Sequence, residues 1–179
     1  LVHLASAGVS PKKVDINEML MSNVIGTCHL IECAAKAKVK RIIVAGTCNE
    51  YGNIALTDQP IKVDTQLNPE SFYAASKAAS YAICLAQCRK HKIKMFYGRI
   101  ASVYGDGQFE NNFWPLLKKA ALKGDDFHMT SGEQIRDFIH VDLVVNKLLK
   151  ACNRKDLLPG KLFVQNIGSG HPRTLIDFA

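Results

Sequence analysis

The chain has 179 residues, 47% of them hydrophobic and 22% charged, the balance of one well-packed globular domain, which excludes a disordered chain. No apolar run reaches the ~18 residues of a membrane span and no charged and apolar leader opens the sequence, so a soluble, cytoplasmic protein without a membrane partner is expected. Its 23 Lys and Arg exceed its 16 Asp and Glu, a formal net charge of +7 that fits nucleic acid or another phosphate-bearing partner; the basic residues are dispersed and do not settle which, and the expectation on the whole chain is no nucleic-acid partner.

The opening run LVHLA reads as a buried strand ending in Ser6, Ala7 and Gly8, small residues that let a ligand approach the backbone. That strand end, with Ala5 and Ser6, is a candidate cofactor wall. From about residue 14 to 37, apolar residues recur at helical spacing (Ile16, Leu20, Val24, Thr27, Ile31, Ala34), predicting one long amphipathic helix. Asn23 and Gly26 are poor choices for a helix interior, which hints at close packing or function.

Arg41 to Ala45, RIIVA, has the β-branched character of a buried parallel strand and leads into Gly46, Thr47, Cys48, Asn49, Glu50, Tyr51 and Gly52. A hydroxyl thus stands at the carboxyl end of a strand, where open α/β sheets bind ligands. Asn68, Pro69 and Glu70 then read as an N-cap, a first-turn proline and an acidic start for the next helix. This helix carries SFYAASKAASY, with Tyr73 and Lys77 four residues apart and so on one face. An ammonium there would favour phenolate, lower the tyrosine pKa and make a proton-transfer pair. Its apolar face runs through Ala74, Ala78, Tyr81, Leu85 and Cys88 and reads as core or interface.

Residues 93–100, IKMFYGRI, predict the next strand, which delivers Ser102 and Tyr104 to the same sheet edge. Helix, strand, helix, strand in this order implies right-handed crossovers and a parallel sheet. After Gly107 the pattern changes. A helix is expected over 113–123, a short piece at 127–130, an extended segment at 134–141, a helix at 142–153, a strand at 161–167 and a last helix start at Thr174. The fold class is α/β, with residues 1–107 as part of a main parallel-sheet domain and 108–179 as part of a smaller mixed lobe. The six cysteines show no C-x-x-C spacing, so neither a disulfide framework nor a metal site is expected.

Six short stretches stand in one order: Asn23-Val24-Ile25-Gly26-Thr27, Thr47 four residues before Tyr51-Gly52, Tyr73-Ala-Ala-Ser-Lys77, Arg99 through Tyr104-Gly105, Arg136 through Asp142, and Asn166-Ile167-Gly168. With them the chain resembles the extended short-chain dehydrogenase/reductases and, more narrowly, the NAD-dependent epimerase/dehydratase family that acts on nucleotide sugars. The resemblance implies a Rossmann-type parallel sheet with helices on both faces, and a smaller substrate lobe. It also implies roles. Tyr73 would be the acid/base on a sugar hydroxyl, Lys77 would bind the nicotinamide ribose and tune Tyr73, and Thr47 would hydrogen-bond the reacting oxygen. Ala5, Ser6 and Asn23 would line the cofactor pocket, Ser102 would face the sugar and Arg136 the diphosphate. NAD or NADP is the implied cofactor, a nucleotide-diphosphate sugar the implied partner, and a homodimer through the helices at 14–37 and 71–91 a further expectation.

Two departures from the family pattern matter. None of the 12 glycines forms the dinucleotide fingerprint, so the chain is expected to be a fragment that begins at the fourth strand, and alone to bind cofactor poorly, lack turnover and aggregate. Cys48 and Asn49 occupy the positions where 4,6-dehydratases carry an Asp-Glu pair, and Glu50 is displaced by one residue. A 4-ketoreductase or 4-epimerase is therefore preferred to a 4,6-dehydratase, and the presence of Thr47, Tyr73 and Lys77 together argues against the alternative of a non-catalytic NAD(P)-binding regulator. Ser102 weakens a strict epimerase match, and the GTCNEYG and IASVYGDGQ stretches look more like 4-keto-6-deoxysugar reductases.

Overall fold

The computed structural model describes residues 1–9, 14–56 and 60–179. Four parallel strands make the main sheet in the order β1 (Val2–His3), β2 (Arg41–Thr47), β3 (Lys94–Ile100) and β6 (Leu162–Ile167). Alternation along the central strands sends Ile42, Val44, Met95 and Tyr97 to one face, against Ile31 and Ala34 of α2 (Thr27–Lys36) and Cys84 and Cys88 of α3 (Phe72–His91). Ile43, Phe96 and Ile167 point to the other, where Val144, Leu148 and Ala151 of α5 (Val141–Asn153) cover them. The expected parallel sheet with helices on both faces is present. No helix among the described residues is long and apolar enough to cross a membrane.

The first strand is shorter and less buried than its composition predicts. Only His3 is buried, while Leu1, Val2 and Leu4 are exposed, because β1 lies at the edge of this sheet and pairs only with β2. The long first helix forms, but in three parts: α1 (Ile16–Met19), a π-helical stretch Leu20–Gly26, then α2. The wider turn changes which side faces inward. Met19, Asn23, Thr27, Ile31 and Ala34 are buried, whereas Ile16 and Leu20 of the expected apolar face are exposed.

The helix bearing Tyr73 begins three residues beyond the Asn68-Pro69-Glu70 signal. Ser71 is its N-cap and accepts from the Ala74 amide at 3.1 Å. Asn68 is engaged elsewhere, donating its N–H to the Glu50 carbonyl at 3.0 Å. This pairing holds the 3-10 turn Cys48–Leu56, in which Gly52 has φ +68°; a Cβ there would fall 2.0 Å from the Asn68 oxygen.

After β3 the chain forms β4 (Ser102–Tyr104), α4 (Phe113–Lys123) and β5 (Ile135–His140), passes through α5 and β6, and ends in β7 (Pro172–Thr174) and α6 (Leu175–Phe178). Strands β4, β5 and β7 make a second sheet, parallel between β4 and β5 and antiparallel between β5 and β7. Sequence patterning misses β7 because proline and a three-residue length disguise an edge strand. Residues 125–129 have no regular structure. Aromatic rings knit the second sheet to its helices: Tyr104 lies 5.1 Å from Trp114 and 4.9 Å from Phe178, which stacks on Phe138 at 3.9 Å.

Candidate active site

The carboxyl ends of β2 and β3 open into a cavity of about 980 Å³, walled on one side by Ser6, Gly8 and the helix of Tyr73 and on the other by residues of β4, α4 and β5. Strand β2 sets Thr47 at its last position, helix α3 brings Tyr73 and Lys77 across from it, β4 carries Ser102 and β5 carries Arg136; all five line the cavity. Five residues scattered over about half the chain thus meet at one sheet edge.

Tyr73 stands beside the side chains of Ser6 and Thr47 in this wall. Burial pushes its pKa above the usual tyrosine value, with the Ser6 and Thr47 hydroxyls opposing the rise and the Glu50 charge adding to it. This corrects the expectation of a tyrosine lowered by Lys77. The Lys77 ammonium is 4% exposed and donates to the Ala45 carbonyl at 2.7 Å, which satisfies a buried cation. Its own pKa is lowered, chiefly by burial, with Glu50 pulling the other way.

Asn23 supports the wall from behind and does not reach the cavity surface. Fully buried, its amide oxygen accepts from the Ala7 N–H at 2.8 Å and from the Ser6 hydroxyl at 3.3 Å, and its nitrogen donates to the Ala7 carbonyl at 3.0 Å and Ser76 at 2.9 Å. The widened π turn is what lets this side chain meet the Ser6–Gly8 backbone. Ala5 is exposed and not among the residues that line the cavity.

Gly8 keeps the wall thin, since a Cβ there would lie 2.7 Å from the Met19 sulfur and 3.3 Å from the Tyr73 ring. Small backbone, a buried lysine and a half-buried phenol at the carboxyl edge of a parallel sheet fit the nicotinamide end of a dinucleotide. Arg136 donates to its neighbour's carbonyl, Ile135, at 2.8 Å and presents a guanidinium to the cavity.

The 4,6-dehydratase positions carry no carboxylate. Cys48 lines the cavity, but its thiol is raised to about 12, first by burial and then by the charges of Asp137 and Glu50, and it leans on the Arg99 carbonyl at 3.4 Å. Asn49 lines the same wall, and Glu50 points away into the core, fully buried. All six cysteines are free, and no cluster of metal-ligating side chains occurs among the described residues.

The NAD dependent epimerase/dehydratase family matches residues 1–168. This chain belongs to that family. Among its relatives, dTDP-glucose 4,6-dehydratase of Actinoplanes sp. is 31% identical over 138 residues, 76% of this chain and 42% of the relative. The solved structure of MoeE5 with UDP-glucose and NAD is 32% identical, with a TM-score of 0.85 over 98% of this chain and 58% of that one. UDP-glucuronic acid 4-epimerase from Bacillus cereus, with UDP-glucuronic acid and NAD, is 25% identical with a TM-score of 0.84, over 98% of this chain and 56% of that one. The chain therefore spans about half the length of the relatives it matches.

Within this member of the family, motif spacing marks Tyr51, Arg99 and Asn166 as well as the cavity-facing residues, but not Glu50 or Tyr97, nor that these five join beneath Thr47. Glu50, Tyr97, Arg99, Tyr51 and Asn166 form one hydrogen-bonded group under the Thr47 turn. The available signal is the presence of an acid in the β2 turn and an arginine inside an otherwise apolar strand.

Proposed function

We propose that the protein oxidises or reduces C4 of a nucleotide-diphosphate sugar with NAD or NADP, as a 4-ketoreductase or 4-epimerase of its family. The observation that carries this reading is the convergence of Thr47, Tyr73, Lys77, Ser102 and Arg136 on one cavity at the carboxyl edge of the parallel sheet. The complexes of MoeE5 and of the glucuronic acid epimerase with a UDP-sugar and NAD support the ligand classes. The cofactor, when bound, supplies the hydride acceptor or donor.

The chain's own residues do the rest. Tyr73, kept protonated by burial, would give its proton to the C4 oxygen on reduction and, as the phenolate that the charge of an oxidised nicotinamide would favour, take it back on oxidation, while Thr47 hydrogen-bonds the same oxygen. Lys77 holds the ribose hydroxyls, with Ser6 and the Asn23-braced backbone forming the wall beside them. Ser102 faces the sugar, and Arg136 offers the planar fork that matches a diphosphate. Elimination of water, as in a 4,6-dehydratase, needs an acid and a base at positions that here hold a protonated thiol and an amide.

In this proposal residues 1–107 belong to the dinucleotide-binding domain and 108–179 to the substrate lobe, with β6 returning to the main sheet. Two copies pair through the helices at 14–37 and 71–91, where Met21, Ile25 and Phe72 are exposed.

The test incubates the full-length protein with a panel of 4-keto and 4-hydroxy nucleotide sugars and deuterium-labelled nicotinamide cofactor. Deuterium at C4 of the product with net cofactor consumption identifies the reductase; inversion at C4 with label retained identifies the epimerase. Tyr73→Phe should bind cofactor normally and lose about 100- to 10,000-fold in turnover, the usual worth of one acid/base group. An unchanged rate would remove Tyr73 from the chemistry.

A further inference from the structure

Glu50 is the most buried acid among the described residues, 0% exposed, and it lies outside the cavity wall. Its Oε1 accepts from the Thr47 backbone N–H at 2.9 Å and from the Tyr97 hydroxyl at 2.8 Å, and its Oε2 pairs with Arg99 Nε at 2.9 Å. Tyr97 shares its hydroxyl with the Lys77 carbonyl at 3.1 Å, so one carboxylate reaches the backbone of Thr47 directly and the helical turn of Lys77 through one ring. Room for this arrangement comes from Gly46: a Cβ there would fall 2.2 Å from the Tyr97 ring and 2.8 Å from Glu50 Oε1.

Arg99 extends the group outward. Sandwiched between the rings of Tyr51 and Tyr81 at 4.7 and 4.6 Å, it donates to Tyr51 Oη at 2.7 Å and to the Val63 carbonyl at 2.9 Å. Tyr51 donates to Asn166 Oδ1 at 2.8 Å, and Asn166 holds the Ile61 carbonyl at 2.7 Å, beside Pro60 and Ile61 at the cavity rim. A hydrophobic pair of the same volume would fill this core without the desolvation cost of two buried charges. A simple packing role therefore does not account for the ions.

We propose that Glu50 is a positioning residue, whose single carboxylate fixes the Thr47 backbone and, through Tyr97, the Lys77 turn, so that the two side chains meet Tyr73 in register. This rests on the roles proposed above for Thr47, Tyr73 and Lys77. The carboxylate also acts through space, since its charge raises the Tyr73 pKa. The titratable and charged groups packed around this cluster are His3 from β1, Cys48 and Tyr51 from the β2 turn, Lys77, Tyr81 and Cys84 from α3, Tyr97 and Arg99 from β3, and Asp137 from β5.

Glu50→Gln keeps the volume but gives one end of the carboxylate site a donor, so it cannot satisfy Thr47, Tyr97 and Arg99 together. In the full-length protein with a nucleotide sugar, kcat should fall about 10- to 100-fold with KM little changed, the range for a small misplacement of reacting groups. The acid limb of the kcat profile should move to lower pH, because a negative charge that raises the phenol's pKa is gone. A tyrosinate absorbance titration with oxidised nicotinamide dinucleotide present, read against Tyr73→Phe in each background, should show the same downward movement without turnover.

Unchanged kcat and an unmoved Tyr73 titration overturn the proposal. So does a fall in kcat that follows lost thermal stability while the titration stays in place. If Glu50→Gln does not fold, Glu50→Gln/Arg99→Met, which buries no unpaired charge, takes its place under the same criteria. Absence of nucleotide-sugar turnover in the unaltered protein would sink the proposed function alone, because the Tyr73 titration compares two proteins and needs no substrate.

Discussion

At the scale of the residue, the site combines groups whose usual proton affinities have been moved apart by burial. Cys48 faces the cavity yet its thiol is raised to about 12, so almost no thiolate exists near neutrality. Cys48 should therefore react slowly with iodoacetamide at about pH 8 while the exposed Cys33 labels readily, a difference that peptide mass spectrometry reads directly. Rapid labelling of Cys48 would return it to consideration as a nucleophile. Arg136 carries a different expectation. Among the described residues its guanidinium donates to the Ile135 carbonyl alone, and Arg136→Ala should weaken nucleotide-sugar binding by about 1.5 to 3 kcal/mol, the range for a charged hydrogen bond. Calorimetry should find NAD(P) affinity little altered, and equal weakening of both ligands would place Arg136 away from the diphosphate.

At the scale of the element, the π-helical stretch Leu20–Gly26 shows a helix bent to the needs of a neighbouring loop. An α-helical register would carry Asn23 past the Ser6–Gly8 backbone; the wider turn keeps its amide against both Ala7 groups and Ser76. Asn23→Ala strips partners from a buried N–H, and should destabilise the protein by about 1 to 3 kcal/mol. The loss should be local. Hydrogen exchange at the Ala7 amide should accelerate well before exchange in β2 and β3, and uniform acceleration would show that Asn23 serves global stability only.

At the scale of the whole molecule, the buried titratable groups define a pH window. Burial raises Cys48 and Cys84 to about 12 and raises Tyr73 and Tyr97 as well. The folded chain therefore keeps protons that the unfolded chain releases first, and their contribution is complete below a thiol's ordinary value near 8.5 and lost as pH climbs toward about 12. His3 works in the other direction. Burial first, and Lys77 second, lower its pKa, so the unfolded chain binds that proton first and stability falls as pH drops through about 6.5. The melting temperature should thus decline as pH falls below about 6.5 and as it climbs above about 8.5, with Lys77, whose lowered pKa acts in the same sense as that of His3, opposing part of the alkaline decline. His3→Gln should flatten the acid decline in scanning calorimetry, and an unaltered acid limb would assign that limb to other groups.

The sequence by itself determined the elements whose signal is local. Period-2 and period-3.6 patterns mark β2, β3, α3 and α5 to within a residue or a few, residue chemistry marks Thr47 at a strand end and the Tyr73–Lys77 pair on one helix face, and Arg136 comes only with the family resemblance. Local signals also misled in places where a distant partner took the group. Asn68 has the side chain of a helix cap, but its backbone is engaged by the Glu50 carbonyl and Ser71 caps instead. Tertiary structure alone decided the proton affinities, because the Tyr73 pKa depends on burial and on Glu50 more than on the lysine one turn away. It alone decided where Glu50 points, too: a shift of one position at a strand end turns a carboxylate from the cavity to the core, and no spacing rule reveals that Arg99, 49 residues away, waits there to pair with it.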